Sequence, residues 1–292
     1  MSPREIKNLA ASIRQQLLNL AHERDEVFQL TLTRFGLERL LYRLSRSKQA
    51  ERFLLKGAML FSAWSEVPYR STRDLDLAGS SDAEPDHVHA VFEALCRLEV
   101  EPDGLELRPG TIRVEEIREP SEYAGVRVRL DGYLGTARIP LQVDIGFGDV
   151  VTPAPSKITY PTLLDLPAPE LLAYPPATVV SEKFQAMVAL GIANTRMKDF
   201  YDVWMLAREI ELDPAELADA IHATFNRRGT PLPDDLPIAL REEYWDTRHR
   251  EWNAFLRKNR LPEQISLGEV GRRLIEFIEP ALHAARLRAK GR

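Results

Sequence analysis

Two aspartates one residue apart, Asp74 and Asp76, sit inside the run Arg70-Ser71-Thr72-Arg73-Asp74-Leu75-Asp76-Leu77. As a strand, this run alternates. Its period of two sends both carboxylates to one face and Leu75 and Leu77 to the other. The leucines then belong to a core and the acids project side by side. Neighbouring carboxylates repel, and both stay ionised most easily when a cation sits between them. An all-oxygen pair suits a hard divalent ion such as Mg2+ or Mn2+, held by one or two carboxylates together with the phosphates of a substrate. A D-x-D pair by itself is common, and a solvated strand end explains it as well.

The residues before the pair narrow the choice. Phe53-Leu54-Leu55-Lys56-Gly57 reads as a short apolar strand closed by glycine, and Ala58 to Trp64 reads as a helix. Strand, glycine turn, helix and acidic strand therefore follow in order. Gly57 lets backbone N–H groups approach a phosphate, and a helix start favours negative charge.

At 292 residues the chain suits two domains, or one domain with a large helical appendage. One cysteine, Cys96, excludes an internal disulfide framework and a cysteine-based zinc site, which fits a reducing cytoplasm. No apolar run approaches the roughly 18 residues of a membrane span. The start Met1-Ser2-Pro3-Arg4-Glu5 lacks a signal-peptide core and reads as a helix cap, with Ser2 as N-cap, Pro3 at the first position and Glu5 three after the cap. A net charge of −5 argues against a generally basic nucleic-acid-coating protein.

Further along, helices are expected over about Ile6–Leu20 and Asp25–Ser45, the second open to division at Gly36, and over Asp82–Leu98. His87 and His89 in the last of these point to different faces and are poor joint metal ligands. A β-rich block follows: Leu105–Leu107, Thr111–Ile117, Val126–Leu130 and Ala137–Val143, with Asp131-Gly132 contributing the bend between the last two. Asp144 stands alone between Val143 and Ile145. On an antiparallel partner of the acidic strand it completes a three-carboxylate cluster; an exposed acid on a half-buried strand is the equal alternative.

The proline-rich stretch Pro153 to Pro176 reads as a connector. It separates an N-terminal domain, residues 1–160, from a C-terminal helical domain, 161–292. The latter carries Lys183 on a helix that ends at Gly191, and a short helix Lys198–Leu206 on which Asp199 and Asp202 share a face. Asp213-Pro214-Ala215-Glu216 caps a third helix. Ala239 to Asn259 forms a fourth, whose Tyr244, Trp245, Trp252 and Phe255 belong to a bundle core, and Ser266-Leu267-Gly268-Glu269 caps the last.

Four motifs now stand in order: Lys56-Gly57 with Thr72-Arg73-Asp74-Leu75-Asp76; Val143-Asp144-Ile145; Glu182-Lys183-Phe184; and Lys198-Asp199-Phe200-Tyr201-Asp202. Their order resembles the AbiEii/AbiGii-type nucleotidyltransferases, the toxin halves of AbiE-like and MenT-like toxin–antitoxin pairs, within the polymerase-beta-like nucleotidyltransferase superfamily. The resemblance spans roughly Phe53 to Leu206. The family's first motif usually carries a second glycine or small polar residue; here Ala58 keeps the backbone donor and lacks a hydroxyl.

The resemblance implies an α+β fold: a nucleotidyltransferase-type mixed sheet with flanking helices, followed by a C-terminal helical bundle. It implies transfer of NMP from NTP, with pyrophosphate leaving. Asp74, Asp76 and Asp144 would hold Mg2+ or Mn2+, with Lys183 and Asp202 completing the catalytic set. Lys56, Gly57, Ala58, Thr72, Arg73 and Lys198 would bind the nucleotide. The implied acceptor is RNA at the 3′ end of tRNA, so that translation stops in the cytoplasm, through a cleft of Lys56, Arg70, Arg73, Lys183, Arg196 and Lys198. A cognate antitoxin would be the partner. A small-molecule or protein acceptor, and an inactive NTP-binding interaction module, remain as alternatives.

Overall fold

A computed structural model describes residues 8–64, 72–80, 84–117, 125–262 and 264–290. The expected cap at Ser2, Pro3 and Glu5, the start of the third helix at Asp82, and Arg70 of the basic set lie outside the described residues. The chain divides into two compact units, Met1–Gly148 with Lys157–Ala173, and Asp149–Ser156 with Tyr174–Arg292.

The first unit is built on a seven-stranded mixed sheet. Its strands are β1 (Phe53–Lys56), β2 (Leu75–Gly79), β3 (Leu105–Ile117), β4 (Gly125–Leu134), β5 (Ala137–Phe147), β6 (Ser156–Thr159) and β7 (Glu170–Ala173), in the order β3-β4-β5-β2-β1-β7-β6. Helices α1 (Leu9–Glu23), α2 (Phe28–Arg46) and α3 (Pro85–Arg97) flank it. Asn8 caps α1 by accepting from the Ala11 N–H at 3.0 Å. Pro85 opens α3 at its first turn, where a missing N–H costs nothing.

Gly36 does not divide α2, which is continuous across it. A methyl group there would lie 2.7 Å from Leu141 Cδ2 and 3.2 Å from Ile139 Cγ2. The glycine thus lets α2 lie close on β5. That contact also fixes the faces of the sheet. Ile139, Leu141, Val143 and Ile145, all buried, turn towards α2. The alternate residues Gln142, Asp144 and Gly146 therefore turn away from it.

Two expectations for the strands are corrected. Leu105–Leu107 and Thr111–Ile117 are one strand, with a register shift against β4 between Arg108 and Arg113. The bend between β4 and β5 is not at Asp131-Gly132, which pair inside the ladder. It falls at Gly135-Thr136, where Gly135 has φ 62°, a value that favours glycine.

The proline-rich connector also holds two strands that its composition concealed, and β7 pairs parallel to β1. Residue 160, where the expected N-terminal domain ended, falls inside the segment Lys157–Ala173 of the first unit. Side chains of α2 fasten this segment. Glu38 Oε2 accepts from the Leu163 N–H at 2.7 Å, and Arg39 Nη2 donates to the Pro167 carbonyl at 2.7 Å. Burial pushes the Glu38 carboxyl up to about 7. Prolines withhold donors from a ladder, so a segment this rich in them hides its strand character.

The second unit is helical: α4 (Pro176–Leu190), α5 (Met197–Glu209), α6 (Pro214–Arg227), α7 (Glu242–Thr247), α8 (His249–Lys258) and α9 (Leu267–Lys290). Asp213 caps α6, accepting from the Ala215 N–H at 2.9 Å. Ser266 and Glu269 form a reciprocal capping box: each side chain accepts the other's backbone N–H at 3.1 Å.

The expected single helix from Ala239 to Asn259 is two. Arg248, with φ −111° and ψ 11°, leaves the helical region between α7 and α8. The two indoles explain the break, because they are tied to different segments. Trp245 donates to the Ala239 carbonyl at 3.2 Å, and Trp252 donates to the Ile265 carbonyl at 2.6 Å. Both indoles and Tyr244 are buried and serve as core, whereas Phe255 is half-buried, packed against Trp252. No described helix is long and apolar enough to cross a membrane.

Candidate active site

Strand register assembles the acidic site. Lys56 on β1 lies opposite Asp76 on β2, Asp76 lies opposite Asp144 on β5, and Asp144 lies opposite Arg127 on β4. Directly paired residues share a face. One transverse row across four strands therefore reads Lys, Asp, Asp, Arg. Leu75 and Leu77 are each 1% exposed on the opposite face. Asp74 immediately precedes β2 and joins the row: Asp74, Asp76 and Asp144 each offer a carboxylate oxygen, and the three lie within 4.8 Å of one another. All three residues are half-buried.

One expectation about this cluster is corrected. β5 is not an antiparallel partner of β2 but a parallel one. Parallel neighbours need a long crossover, and the chain supplies one between β2 and β5 through α3, β3 and β4. The parallel register still sets Asp144 squarely beside Asp76.

Each acid has its own support. Thr72 Oγ1 donates to Asp74 Oδ1 at 2.7 Å. Arg127 grips Asp144 with both arms of its fork, Nε to Oδ1 at 2.8 Å and Nη2 to Oδ2 at 2.7 Å, and Gln142 Nε2 lies 3.3 Å from Oδ1. The hydrogen bond to Asp144 is the main reason the Arg127 guanidinium is held above its ordinary range. Burial opposes this, and the charges of Asp144 and Asp74 add to it.

Asp76 is seated against Gly57, whose φ of 72° and ψ of −158° no ordinary side chain adopts. A Cβ at Gly57 would collide with the Asp76 carboxylate. This glycine therefore makes room for a candidate ligand. The Lys56 ammonium overlies Gly146, where a Cβ would come within 3.0 Å of Nζ. Ala58 is buried at the start of a short 3-10 segment, Ala58–Ala63, rather than the α-helix expected there, and Arg73 is exposed.

Lys183, Lys198 and Asp202 belong to the helical unit. Lys183 Nζ on α4 lies 2.8 Å from Asp199 Oδ1 and 2.6 Å from Asp202 Oδ2, both on α5. Arg196 Nε lies 2.7 Å from Asp199 Oδ2. The two aspartates are 0% exposed and Lys183 is 14% exposed. Burial works to raise the Asp199 carboxyl, but Lys183 and Arg196 outweigh it and hold the group below the usual range. Burial dominates at Asp202 and pushes it well above that range. Lys198 is exposed.

The structure therefore brings together Asp74, Asp76 and Asp144 with Lys56, Gly57 and Thr72. Separately, it brings Lys183 together with Asp202. Two residues escaped the sequence reading. Arg127 could have been found only from its alternation between the buried Val126 and Val128 on a strand paired to Asp144. Asp199 was visible as a facial partner of Asp202, but nothing in the spacing marked Lys183 as their shared cation.

Three converging carboxylates fit a divalent ion that prefers oxygen ligands. The mixed sheet with helices and with this carboxylate cluster on one face defines an α+β protein. A family model described as nucleotidyl transferase AbiEii toxin, type IV toxin–antitoxin system, matches residues 39–270 of the 292. The chain belongs to this nucleotidyltransferase family. Similar solved structures include JHP933 from Helicobacter pylori, 13% identical, covering 87% of this chain and 92% of that one with a TM-score of 0.49. A second H. pylori protein, described as a candidate nucleotidyltransferase, is 13% identical, with 86% and 93% coverage and a TM-score of 0.44. No curated protein matches the chain.

Proposed function

We propose that this protein transfers a nucleoside monophosphate from an NTP to an RNA acceptor, the 3′ end of tRNA, and so blocks translation in the cytoplasm. The observation that supports a working site is the in-register pair Asp76–Asp144 with Asp74 beside it, in a chain of the AbiEii family. Asp74, Asp76 and Asp144 would hold Mg2+ or Mn2+. The ion would supply neutralisation of phosphate charge and orientation for in-line displacement.

The chain's own residues do the remainder. Thr72 fixes the Asp74 carboxylate and Gly57 keeps space for that of Asp76. Lys56 and Arg73 add positive charge for a triphosphate, with backbone donors at Gly57 and Ala58. Lys183 is the family-motif lysine proposed to engage the triphosphate. Asp202 orients it, and Lys198 adds charge for nucleotide or RNA. A cognate antitoxin is the expected protein partner.

The test is incubation of purified protein with Mg2+, each labelled NTP in turn and total tRNA, beside an Asp76→Ala control. Label on tRNA that disappears in the control is the expected result and names the nucleotide. Metal-dependent NTP binding without labelled RNA would move the acceptor to a protein or small molecule. Absence of both binding and transfer would overturn the proposal.

A further inference from the structure

Arg127 uses its whole fork on one carboxylate. Nε and Nη2 each take a different oxygen of Asp144, at 2.8 and 2.7 Å, and the pair sits in register on adjacent strands. Such a bidentate contact is among the stronger hydrogen-bonded ion pairs and fixes the carboxylate plane. Two residues along the same face of β4, Arg129 is engaged elsewhere, with Glu115 Oε2 at 2.8 Å and Gln142 Oε1 at 3.3 Å. The strand thus carries two arginines on one face, Arg127 half-buried and Arg129 exposed, of which the former grips a candidate metal ligand.

We infer that Arg127 is a built-in competitor for the divalent cation: an ion that takes Asp144 as a ligand does so against a guanidinium that already holds both of its oxygens. The inference deepens the metal-site reading and rests on it. Two physical facts carry it. A guanidinium that satisfies both oxygens of a carboxylate leaves the ion only the lone pairs the fork has not used. Its positive charge also repels a divalent ion a few ångströms away, most strongly where the pair is partly shielded from water.

Asp74 is met differently, by the single hydroxyl of Thr72 at 2.7 Å. Arg127 is then a positioning residue. It keeps Asp144 aimed along the row towards Asp76, and it raises the cation concentration at which all three acids act together. Once displaced, its planar fork matches a phosphate group.

The test is Mn2+ binding to the full chain without nucleotide, followed by the electron paramagnetic resonance of the free ion. The expected result is that Arg127→Gln binds Mn2+ about tenfold more tightly than the parent. Arg127→Lys, which keeps the charge and loses the fork, falls between them. Arg129→Gln, which removes a like charge from the same face, changes binding by less than about twofold. Adding Asp144→Asn to Arg127→Gln abolishes the gain.

Equal or weaker binding in Arg127→Gln would overturn the inference. So would a gain shared by Arg129→Gln, or one that survives Asp144→Asn. If Arg127→Gln does not fold, Arg127→Lys carries the comparison, and binding no tighter than the parent's then overturns it. Parent binding that depends on Asp76 but ignores Arg127 would sink this inference alone. No Asp76-dependent binding in any variant would sink the metal site with it.

Discussion

The two units each carry a cluster of aspartates, and the clusters are built in opposite ways. In the sheet, Asp74, Asp76 and Asp144 are half-buried and turn their oxygens towards one another, within 4.8 Å. In the helices, Asp199 and Asp202 are fully buried and share the Lys183 ammonium, while Arg196 takes the other oxygen of Asp199. Converging carboxylates repel unless a cation joins them. Buried carboxylates that already share an ammonium need nothing further, but they suffer badly when it is removed. The same residue types thus converge on one another in one place and converge on an ammonium in the other. What separates them is depth and the placement of the cation.

The largest effect should come from the sheet cluster and fall on activity alone. Asp76→Ala is expected to lower labelled-nucleotide transfer on the order of 10³-fold, a loss typical of removing a group that stabilises transition-state charge. Its thermal unfolding should stay within about 1 kcal/mol of the parent, as for a partly exposed residue. A large drop in stability with residual transfer would make this cluster a structural support instead.

The buried cluster should lose stability along with NTP binding. Lys183→Met leaves Asp199 and Asp202 enclosed without their common ammonium. Breaking a buried ion pair from one side costs about 3–5 kcal/mol. Calorimetry of the full chain checks this. If Lys183→Met melts like the parent yet loses NTP binding, the lysine belongs to function and not to support.

Gly57→Ala sharpens the comparison from the backbone side. Its φ of 72° and the Asp76 carboxylate both exclude a methyl group. The strain is worth about 1–3 kcal/mol, relieved in part by pushing Asp76 aside. Weakened Mn2+ binding together with a modest loss of stability is expected. Unchanged Mn2+ binding would mean that Asp76 is not held by this contact.

These cases also show what the sequence could reveal. The alternation around Asp74 and Asp76 was legible because a strand's period of two is local, and the caps at Asp213 and Ser266 were legible for the same reason. Pairing partners were not. That Asp144 meets Asp76 in a parallel ladder depends on a crossover through α3, β3 and β4, which no local pattern encodes. The Arg127 fork on Asp144 is likewise a consequence of register. β6 and β7 were hidden because prolines dominate their surroundings, and the break at Arg248 because two indoles bind carbonyls distant from each other in the chain. Gly36 read as a helix breaker, while its role is to admit the side chains of Ile139 and Leu141.

The smallest expected effect is the most discriminating, because it separates the two buried acids from each other. Asp199 is held below the usual carboxylate range and Asp202 above it. A group with a depressed folded pKa contributes stability that is present above its unfolded value, about 4, and lost as pH falls through the folded value. A group with a raised pKa does the opposite: it takes up protons on folding, so stability declines as pH climbs from about 4 towards the folded value. Asp199→Asn should therefore lose ground to the parent as pH rises from 3 towards neutrality, whereas Asp202→Asn should gain ground. Burial raises the Asp202 carboxyl, so exchanging it for an amide should cost less stability than the same exchange at Asp199, whose charge Lys183 and Arg196 support. Urea unfolding of both variants across that pH range measures the slopes. Parallel slopes would mean that the two aspartates share Lys183 evenly, and that the helical cluster, like the sheet cluster, holds two ionised acids around one cation.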